Sequence, residues 1–182
     1  KIANLQTSAP KLYEEFTTAC NALTSQNNFV KNSGRFPLTA VGKLELSSLF
    51  AELCLSFTNE AWGLVMPTGI AVNDSNKYFF SKLIDENRLV SIYSFENEEK
   101  LFEIHHSFKF CLLTCCNKKD TPHPVSGGFY LRRVDHLLDP RRIYTLQTSD
   151  FVRFNPNTKQ CPMFRTSYDA KKTKKIYKHT CI

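Results

Sequence analysis

Three short apolar runs lie between residues 62 and 116, and helical or polar segments separate them. The runs are Trp62 to Ile70, Leu89 to Phe95 and Ser107 to Cys116. Each run is short for a helix, and its nearly continuous apolar character is typical of a strand that is buried on both faces. The pattern therefore predicts a sheet with at least three strands, whose two faces are covered by other parts of the chain.

Amphipathic helices surround these runs. Apolar side chains recur at offsets of three and four between Lys11 and Thr24, and again between Lys43 and Asn59. A third helix, carrying Phe79, Phe80, Leu83 and Ile84, follows the polar residues 73–75, which offer N-cap chemistry. A last helix is expected from residues 170 to 179. Helix and strand alternate, so we expect an α/β protein whose sheet is covered by helices.

A cluster of breaking residues follows the third run. It contains Lys118-Lys119-Asp120, Pro122, Pro124 and Gly127-Gly128, and it predicts a surface loop that leaves the sheet. We therefore divide the chain into a helical lead-in (residues 1–33), an α/β part (residues 34–117) and a C-terminal extension (residues 118–182).

Positive charge is concentrated in that extension. The whole chain has 24 Lys and Arg against 17 Asp and Glu, and 10 of the basic residues but only Asp150 and Asp169 lie after residue 140. A localised basic segment is expected where a protein contacts a polyanion, because phosphate neutralisation releases counterions. A solvated helix face is the alternative for Lys171-Lys172 and Lys174-Lys175, and the sequence leaves the two open.

The seven cysteines indicate a reducing environment. Cys54, Cys111, Cys115 and Cys116 lie in apolar stretches, where a reduced cysteine behaves as a small hydrophobic residue. We therefore expect buried thiols, no disulfide framework and a cytoplasmic location. No histidine has a zinc spacing to a cysteine pair, so no metal site is expected. No run of 18 apolar residues is present, so no membrane partner is expected either.

Familiar catalytic motifs do not occur in the sequence. The glycines never have the spacing of a phosphate-binding loop, and neither a GxSxG elbow nor an HExxH helix is present. Glu96, Glu98 and Glu99 lie in a polar connection and are expected to be solvated. His105 and His106 are neighbours on an expected strand, so their side chains should point to opposite faces.

Phe102 is the residue with the most open interpretation. It lies in a polar loop between two buried runs, at the edge of the expected sheet. An aromatic ring at that place can plug the core, or it can offer a stacking surface to a planar ligand. The residue pattern alone favours the plug.

Three segments, in the same order along the chain, resemble parts of one enzyme family. Residues 62–114 read WGLVMPTGIAVNDSNKYFFSKLIDENRLVSIYSFENEEKLFEIHHSFKFCLLT. Upstream lies GRFPLTAVGKLELSSLFAE (residues 34–52), and downstream lies RFNPNTKQCPMFRTSYDAKKTKKIY (residues 153–177). Together they resemble the second half of the catalytic domain of DNA adenine-N6 methyltransferases, in particular the type II (type IIG-like) restriction-modification enzymes that join methylation and cleavage in one chain.

The resemblance implies a fold, a reaction and a role for Phe102. The fold is a partial class I, Rossmann-like methyltransferase sheet, of which residues 34–117 form the C-terminal half, and residues 118–182 lead toward a target-recognition region. The reaction transfers a methyl group from S-adenosylmethionine to a flipped adenine, because the amino group is not accessible inside the duplex. In the family an aromatic residue in the loop before the last core strand stacks on that adenine, and Phe102 matches its position. This changes the preferred interpretation of Phe102 from plug to stacking ring.

Two motifs of the family are missing from the sequence. They are the glycine-containing cofactor loop and the Asn-Pro-Pro-Tyr type loop that holds the adenine amino group. Both are expected before Lys1, so we expect no catalytic residue in this fragment, no S-adenosylmethionine bound to it and no activity of the fragment alone. The expected partners are the remaining N-terminal half of the enzyme and double-stranded DNA, with possible self-association through an exposed sheet edge.

Basic and amide side chains are the weaker candidates for contacts to the DNA backbone. The segment Asn155-Pro156-Asn157-Thr158 is interpreted either as a simple turn or as a loop that positions a phosphate. The alternative function is a non-catalytic DNA-binding or subunit-docking module derived from a methyltransferase, and RNA or protein as methyl acceptor is a third possibility. The candidate residues for DNA contacts are Lys109, Arg132, Arg133, Arg153, Asn155, Asn157, Lys159 and Arg165.

Overall fold

The centre of the computed structural model is a mixed sheet of five strands in the order β1-β3-β2-β4-β5. The structure describes residues 2–57, 60–117 and 119–179. The strands are β1 (Trp62–Pro67), β2 (Leu89–Glu96), β3 (Lys109–Cys115), β4 (Val125–Leu131) and β5 (Tyr144–Leu146). The α-helices are α1 (Ile2–Ser8), α2 (Pro10–Asn32), α3 (Leu46–Phe57), α4 (Gly69–Val72), α5 (Lys77–Asp85), α6 (Thr148–Phe154) and α7 (Ser167–His179). The prediction of an α/β fold is confirmed.

The strand directions bring three carboxyl ends together. β3 pairs antiparallel with both β1 and β2, so β1 and β2 run parallel to each other on either side of it. β4 pairs parallel with β2, and β5 pairs antiparallel with β4. Phe110 lies opposite both Pro67 and Phe95, and Phe95 lies opposite Leu131. The carboxyl ends of β1, β2 and β4 therefore meet at one end of the sheet, where open α/β sheets place their ligands.

Both faces of the sheet are covered, as the continuous apolar runs predicted. Alternate side chains of β3 point to opposite faces, so Cys111 and Leu113 join the larger cluster while Phe110 joins the smaller one. The larger cluster also contains Phe79 and Phe80 from α5. The smaller cluster is built on Phe95, Phe110 and Leu131 and lies near the carboxyl ends of the strands.

The three predicted strands are present with shifted ends. β1 ends at Pro67, within the apolar run, because the chain turns into α4, where the N–H of Asn73 donates to the carbonyl oxygen of Gly69. β3 begins at Lys109 rather than Ser107, because a turn precedes it, in which the N–H of Phe108 donates to the carbonyl oxygen of His105. Phe108 is consequently 60% exposed instead of buried.

Two helix predictions need correction. The expected N-cap at residues 73–75 is wrong: a 3-10 turn (Asp74–Asn76) precedes α5, and no side chain caps that helix. In α3, the predicted apolar face is partly open, with Leu46, Phe50 and Phe57 exposed. The buried face of α3 instead includes Glu52, whose carboxylate accepts hydrogen bonds from the backbone N–H groups of Leu38 and Thr39. Residues 58 and 59 of the predicted helix lie outside the described residues.

The glycine pair 127–128 belongs to a strand rather than to the predicted surface loop. A Cβ on Gly127 would lie 3.2 Å from a ring carbon of Tyr144, and one on Gly128 would lie 2.8 Å from Cδ1 of Ile143. The two glycines therefore allow close packing against Ile143 and Tyr144, and they do not break β4. Lys118, part of the same predicted loop, lies outside the described residues.

The C-terminal extension contributes β4 and β5 to the sheet and two helices to its cover. Asp150, which is 5% exposed, links these parts. Its carboxylate accepts a hydrogen bond of 2.8 Å from the N–H of Gln147 and lies 2.7 Å from Nζ of Lys174, so β5, α6 and α7 are held together. The division of the chain at residues 33 and 117 stays a prediction, but the sheet continues across the second boundary.

The long helix α2 confirms the predicted helix between Lys11 and Thr24, yet it buries no side chain in the part of the chain that the structure describes. Leu12, Phe16, Leu23 and Phe29 are all exposed. None of the helices within residues 2–57, 60–117 and 119–179 has the length and apolar character that a membrane span requires.

The thiols differ sharply in their exposure. Cys111, Cys115 and Cys161 are buried, Cys54 and Cys116 are half-buried, and Cys20 is exposed. The predicted burial is thus complete for only two of the four cysteines named from the sequence, and Cys161 is an additional buried thiol. Burial raises the pKa of Cys111 to about 12 and also raises the pKa of Cys115 and Cys161. Cys181 lies outside the described residues.

We predict selective alkylation of the folded chain by iodoacetamide at pH 8. The thiolate is the nucleophile, and a thiol whose pKa is raised stays protonated until the pH approaches that value. With a pKa of about 12, Cys111 is only about one part in ten thousand thiolate at pH 8. Cys20 should react within minutes while Cys111, Cys115 and Cys161 stay unmodified, as mass spectrometry of tryptic peptides would show. Rapid labelling of Cys111 before denaturation would contradict the buried position of β3.

Candidate functional site

The loop between β2 and β3 is fixed by one buried side chain, Asn97, which is 0% exposed. Its amide nitrogen donates to the carbonyl oxygens of Phe102 and Ile104, at 2.9 and 3.1 Å. Its amide oxygen accepts from the N–H of Phe102, at 3.0 Å. Because one amide satisfies three backbone groups of the loop, Asn97 holds the backbone of Phe102 in place at the end of the sheet.

Phe102 is neither sealed in the core nor free. Its ring makes an edge contact with the ring of Phe110, with 4.8 Å between centroids and 87° between planes. Phe110 in turn stacks on Phe95. Phe102 is 44% exposed, so part of its ring is open to solvent. The geometry is compatible with stacking on a planar ligand, and the stacking role stays a prediction.

A carboxylate and two cations meet beside this loop. Glu96, the last residue of β2, lies 3.4 Å from Nζ of Lys109 and 3.1 Å from a guanidinium nitrogen of Arg132. The sequence interpretation of Glu96, Glu98 and Glu99 as solvated charges is therefore wrong for Glu96, whose side chain is only 17% exposed. Glu98 and Glu99 are exposed, as expected.

Arg165 lies beside this cluster because it contacts the same aromatic ring as Lys109, that of Tyr130. Its guanidinium carbon lies 4.5 Å from the ring centroid of Tyr130, and Nζ of Lys109 lies 5.5 Å from that centroid. A cavity of about 250 Å³ opens there and is lined by Glu96, Tyr130, Arg132, His136, Arg142 and Arg165. Three of the predicted DNA-binding residues, Lys109, Arg132 and Arg165, are thus brought together near Phe102.

The other candidates for DNA contacts lie elsewhere or are engaged in local pairs. Arg133 pairs with Asp135 at 2.6 Å on the surface, and Arg153 lies 3.8 Å from Asp150. Lys159 pairs with Asp85, the last residue of α5, on the approach to the amino end of β2. Lys159 is therefore remote from the carboxyl ends of the strands.

The segment 155–158 forms a turn. The N–H of Lys159 donates to the carbonyl oxygen of Asn155 at 2.7 Å, and the amide of Asn155 donates to the carbonyl oxygen of Gln160 at 2.9 Å. Asn157 is exposed at the tip. These bonds agree with the first of the two interpretations left open by the sequence, and a phosphate contact by Asn155 or Asn157 stays a prediction.

His105 and His106 do not point to opposite faces. Their ring centroids are 4.4 Å apart, and both residues are exposed. The prediction assumed a strand, but the two residues precede β3 in a turn, where side chains need not alternate. No group of three side chains suited to a metal ion occurs among residues 2–57, 60–117 and 119–179.

Sequence reasoning did not identify Asn97 or Tyr130. Asn97 directly follows a strand, and a side-chain amide there can replace backbone partners in a turn, so its position was a usable signal. Tyr130 carried no such signal. Its role depends on a bulge in β4 and on a contact with Arg165, and neither can be read from local sequence.

Comparison with known proteins gives structural neighbours only. No protein-family model matches the chain, and no curated protein matches it significantly. The methyltransferase subunit of a type I restriction-modification system from Streptococcus thermophilus is similar over 74% of this chain and 35% of its own, with 13% identity and a TM-score of 0.49. The type IIG restriction endonuclease BpuSI is similar over 61% of this chain and 13% of its own, with 16% identity and a TM-score of 0.39. The chain spans well under half of the length of either structure.

We predict that Asn97→Asp loosens the Phe102 loop without unfolding the sheet. An ionised carboxylate cannot donate hydrogen bonds, so the two bonds to the carbonyl oxygens of Phe102 and Ile104 would be lost. Losing these bonds costs about 1–3 kcal/mol. Amide hydrogen exchange in residues 98–108 should therefore accelerate by roughly 5- to 150-fold, while exchange in β2 and β3 is unchanged.

The matched control is Asn157→Asp, the same chemical change at an exposed turn. It should leave exchange in residues 98–108 as in the unmodified chain. Equal exchange in both variants would contradict the positioning role of Asn97.

Proposed function

We propose that this chain is the C-terminal, base-facing half of the catalytic domain of a DNA adenine-N6 methyltransferase of the restriction-modification type. One observation carries the proposal. A half-exposed aromatic ring, Phe102, is fixed by Asn97 at the carboxyl ends of the parallel strands, beside a cluster of cations. To hold an extruded nucleotide, an enzyme needs an aromatic ring that stacks on the base and cations that bind the phosphate backbone.

The order of the first three strands supports this assignment. The last of them, β3, turns back antiparallel and inserts between its two predecessors, β1 and β2. The inserted strand pairs with β2 from Glu96 and Lys109 onward, so the loop that carries Phe102 lies at the carboxyl ends of β1 and β2, the end at which open α/β sheets bind ligands.

Access to the amino group of adenine is the physical reason for the stacking ring. That group is paired inside the duplex, so the base must leave the stack before a methyl group can reach it. Extrusion costs a few kcal/mol, and stacking on an aromatic side chain returns about 1–3 kcal/mol per base. In this proposal, Phe102 supplies the stacking surface and the neighbouring cations hold the backbone.

S-adenosylmethionine would supply the methyl group in the intact enzyme, but the residues described here do not fit it. Its sulfonium is positively charged, whereas the cavity at the carboxyl ends is lined by Arg132, Arg142 and Arg165 with the single carboxylate of Glu96. β1 passes to α4 through Thr68 and Gly69 without a glycine-rich loop. Donor binding is therefore assigned to the part of the enzyme that the resemblance places before residue 1.

That N-terminal part is the partner we propose for the β1 side of the sheet. Among the described residues β1 pairs only with β3, so it is an edge strand. Val65 on β1 is 59% exposed, and Phe50 and Phe57 on α3 are 56% and 70% exposed. An open edge next to apolar side chains suits further strands and their covering helix. Self-association of the fragment through the same edge is the alternative.

A non-catalytic DNA-binding or docking module is the second candidate function. The cation cluster favours it, because backbone binding requires neither a methyl donor nor catalytic residues. The two candidates differ in whether Phe102 recognises an extruded base. A fused nuclease domain and a cytoplasmic location stay predictions.

We predict that Phe102→Ala weakens binding to a DNA duplex carrying an unpaired adenine by roughly 5- to 150-fold, the loss of one base stack. Binding to the fully paired duplex should change little. Fluorescence anisotropy with both labelled duplexes measures the difference. In the full-length enzyme the same change should reduce adenine methylation far more than it lowers the unfolding temperature.

Leu101→Ala is the matched control, because Leu101 is a neighbouring and comparably exposed apolar residue of the same loop. It should leave the preference for the unpaired adenine intact. Unchanged methylation and unchanged binding in Phe102→Ala would remove Phe102 from the site.

We also predict that S-adenosylmethionine titrated into this chain alone gives no heat of micromolar binding in isothermal calorimetry. The motifs expected to bind the cofactor are not part of the sequence. Adding the N-terminal half of the enzyme should restore binding. Micromolar affinity of the isolated chain would contradict the assignment of donor binding to the other half.

A further inference from the structure

The side chain of Tyr130 is placed by an irregularity in β4. Tyr93 lies opposite Gly128 and Phe95 lies opposite Leu131, so two residues of β4 oppose one residue of β2. Tyr130 has φ = +60°, a left-handed conformation that is rare for a bulky residue. Because of this bulge, Phe129 and Tyr130 both pack on the larger cluster, although consecutive strand residues normally face opposite sides.

Backbone strain of this kind persists only where surrounding contacts enforce it, and it occurs often at binding sites. Here the bulge places the Tyr130 ring under the guanidinium of Arg165. No carboxylate lies within ion-pair distance of Arg165 among the described residues. The cation–π contact with the ring holds the guanidinium at the cavity, and the N–H donors of Arg165 remain available to an anion.

The charge around the cavity is unbalanced. Lys109 and Arg132 share one carboxylate, Glu96. Arg142 lies 3.7 Å from Asp139, which is more tightly held by Arg141, and hydrogen bonds from Arg141 lower the pKa of Asp139 to about 2. The backbone N–H of Arg132 donates to Nδ1 of His136, which leaves the ring hydrogen on Nε2 as a further donor. The lining of the cavity therefore contains three guanidinium groups and one imidazole but a single carboxylate, so hydrogen-bond donors exceed acceptors.

We infer that this cavity, the Tyr130 cavity, binds one phosphate of the DNA backbone, with Arg132, Arg142 and Arg165 as its principal donors. The inference rests on the proposed function and deepens it by assigning the backbone contact to a defined site. The volume of about 250 Å³ is below the roughly 300–1,000 Å³ of pockets for whole small molecules. It suits a single phosphate group with its water rather than a nucleotide. Planar guanidinium groups recognise such an anion through paired hydrogen bonds.

The position of the cavity relative to Phe102 explains why both are needed. Lys109 faces Tyr130, while the next residue, Phe110, faces Phe102 on the other side of the sheet. The phosphate site and the stacking ring thus flank the first residues of β3. A strand that crosses this end of the sheet would place its backbone on one side and an extruded base on the other.

The test measures how DNA affinity depends on salt. The chain is titrated into a fluorescein-labelled duplex with an unpaired adenine and into its fully paired counterpart, at 50–200 mM KCl. Each phosphate contact adds about one unit to the slope of log affinity against log salt. Arg165→Gln and Arg132→Gln should each reduce the slope by about one and weaken binding to both duplexes equally.

Arg35→Gln is the matched control. Arg35 also lies over an aromatic ring, that of Phe36, but it lines a different cavity together with Glu86 and Arg88, next to the amino end of β2. Its substitution should leave the slope unchanged. The phosphate site would be overturned if folded Arg165→Gln keeps the salt slope of the unmodified chain, or if Arg35→Gln reduces that slope by the same amount. Failure of the unmodified chain to bind DNA at 50 mM KCl would also overturn it.

The outcomes separate this inference from the proposed function. If Phe102→Ala loses the preference for the unpaired adenine while the arginine variants keep the full slope, the phosphate site is wrong and the base-stacking role stands. If the arginine variants reduce the slope of log affinity against log salt and Phe102→Ala behaves as the unmodified chain, the phosphate site stands and the base-stacking role is wrong. Tighter binding of an RNA hairpin, with the same loss in Arg165→Gln, would overturn the assignment to DNA.

Discussion

The antiparallel pairing of β3 with both β1 and β2 is the interaction on which the rest of the structure depends. β1 and β2 do not pair with each other, so their parallel alignment exists only because each is hydrogen-bonded to β3. The insertion buries β3 on both faces, with Cys111 and Leu113 on one side and Phe110 on the other. It also turns the β2–β3 loop back over the carboxyl ends of the parallel strands, the end at which open α/β sheets bind ligands.

Local interactions then orient side chains toward the carboxyl ends of the parallel strands. The Asn97 amide ties down the loop backbone, so Phe102 is held against Phe110 with part of its ring open. The bulge in β4 brings Tyr130 onto the opposite face, where Arg165 covers it. The two rings are thus fixed by different means: one by buried hydrogen bonds, and the other by backbone strain balanced by packing. Rigid support of this kind is what a site needs to hold a ligand in one geometry.

The sequence predicted the elements whose signal is local. The continuous apolar runs gave β1, β2 and β3, and the spacing of Phe79, Phe80, Leu83 and Ile84 gave α5, because burial on a strand or a helix face imposes a short repeat. The sequence did not predict the features that depend on contacts between residues far apart in the chain. Gly127 and Gly128 were interpreted as breakers, yet they pair with β2 as part of β4, and Tyr144 and Ile143 occupy the space beside them. Three of the eight candidate DNA-binding residues meet near Phe102, while Lys159 is held by Asp85, a contact that no local pattern encodes.

By itself, the sequence determined the α/β class, the first three strands and the placement of Phe102 in the loop between β2 and β3. Each follows from a local pattern: continuous apolar runs for the strands, helical spacing for the covering helices and a polar segment for the loop. Only the tertiary structure decided that β3 inserts between β1 and β2, that β4 and β5 extend the sheet, and that Arg132 and Arg165 converge on the Tyr130 cavity. Those arrangements depend on pairing and packing between residues far apart in the chain, where the free energy comes from shared burial and not from any local preference.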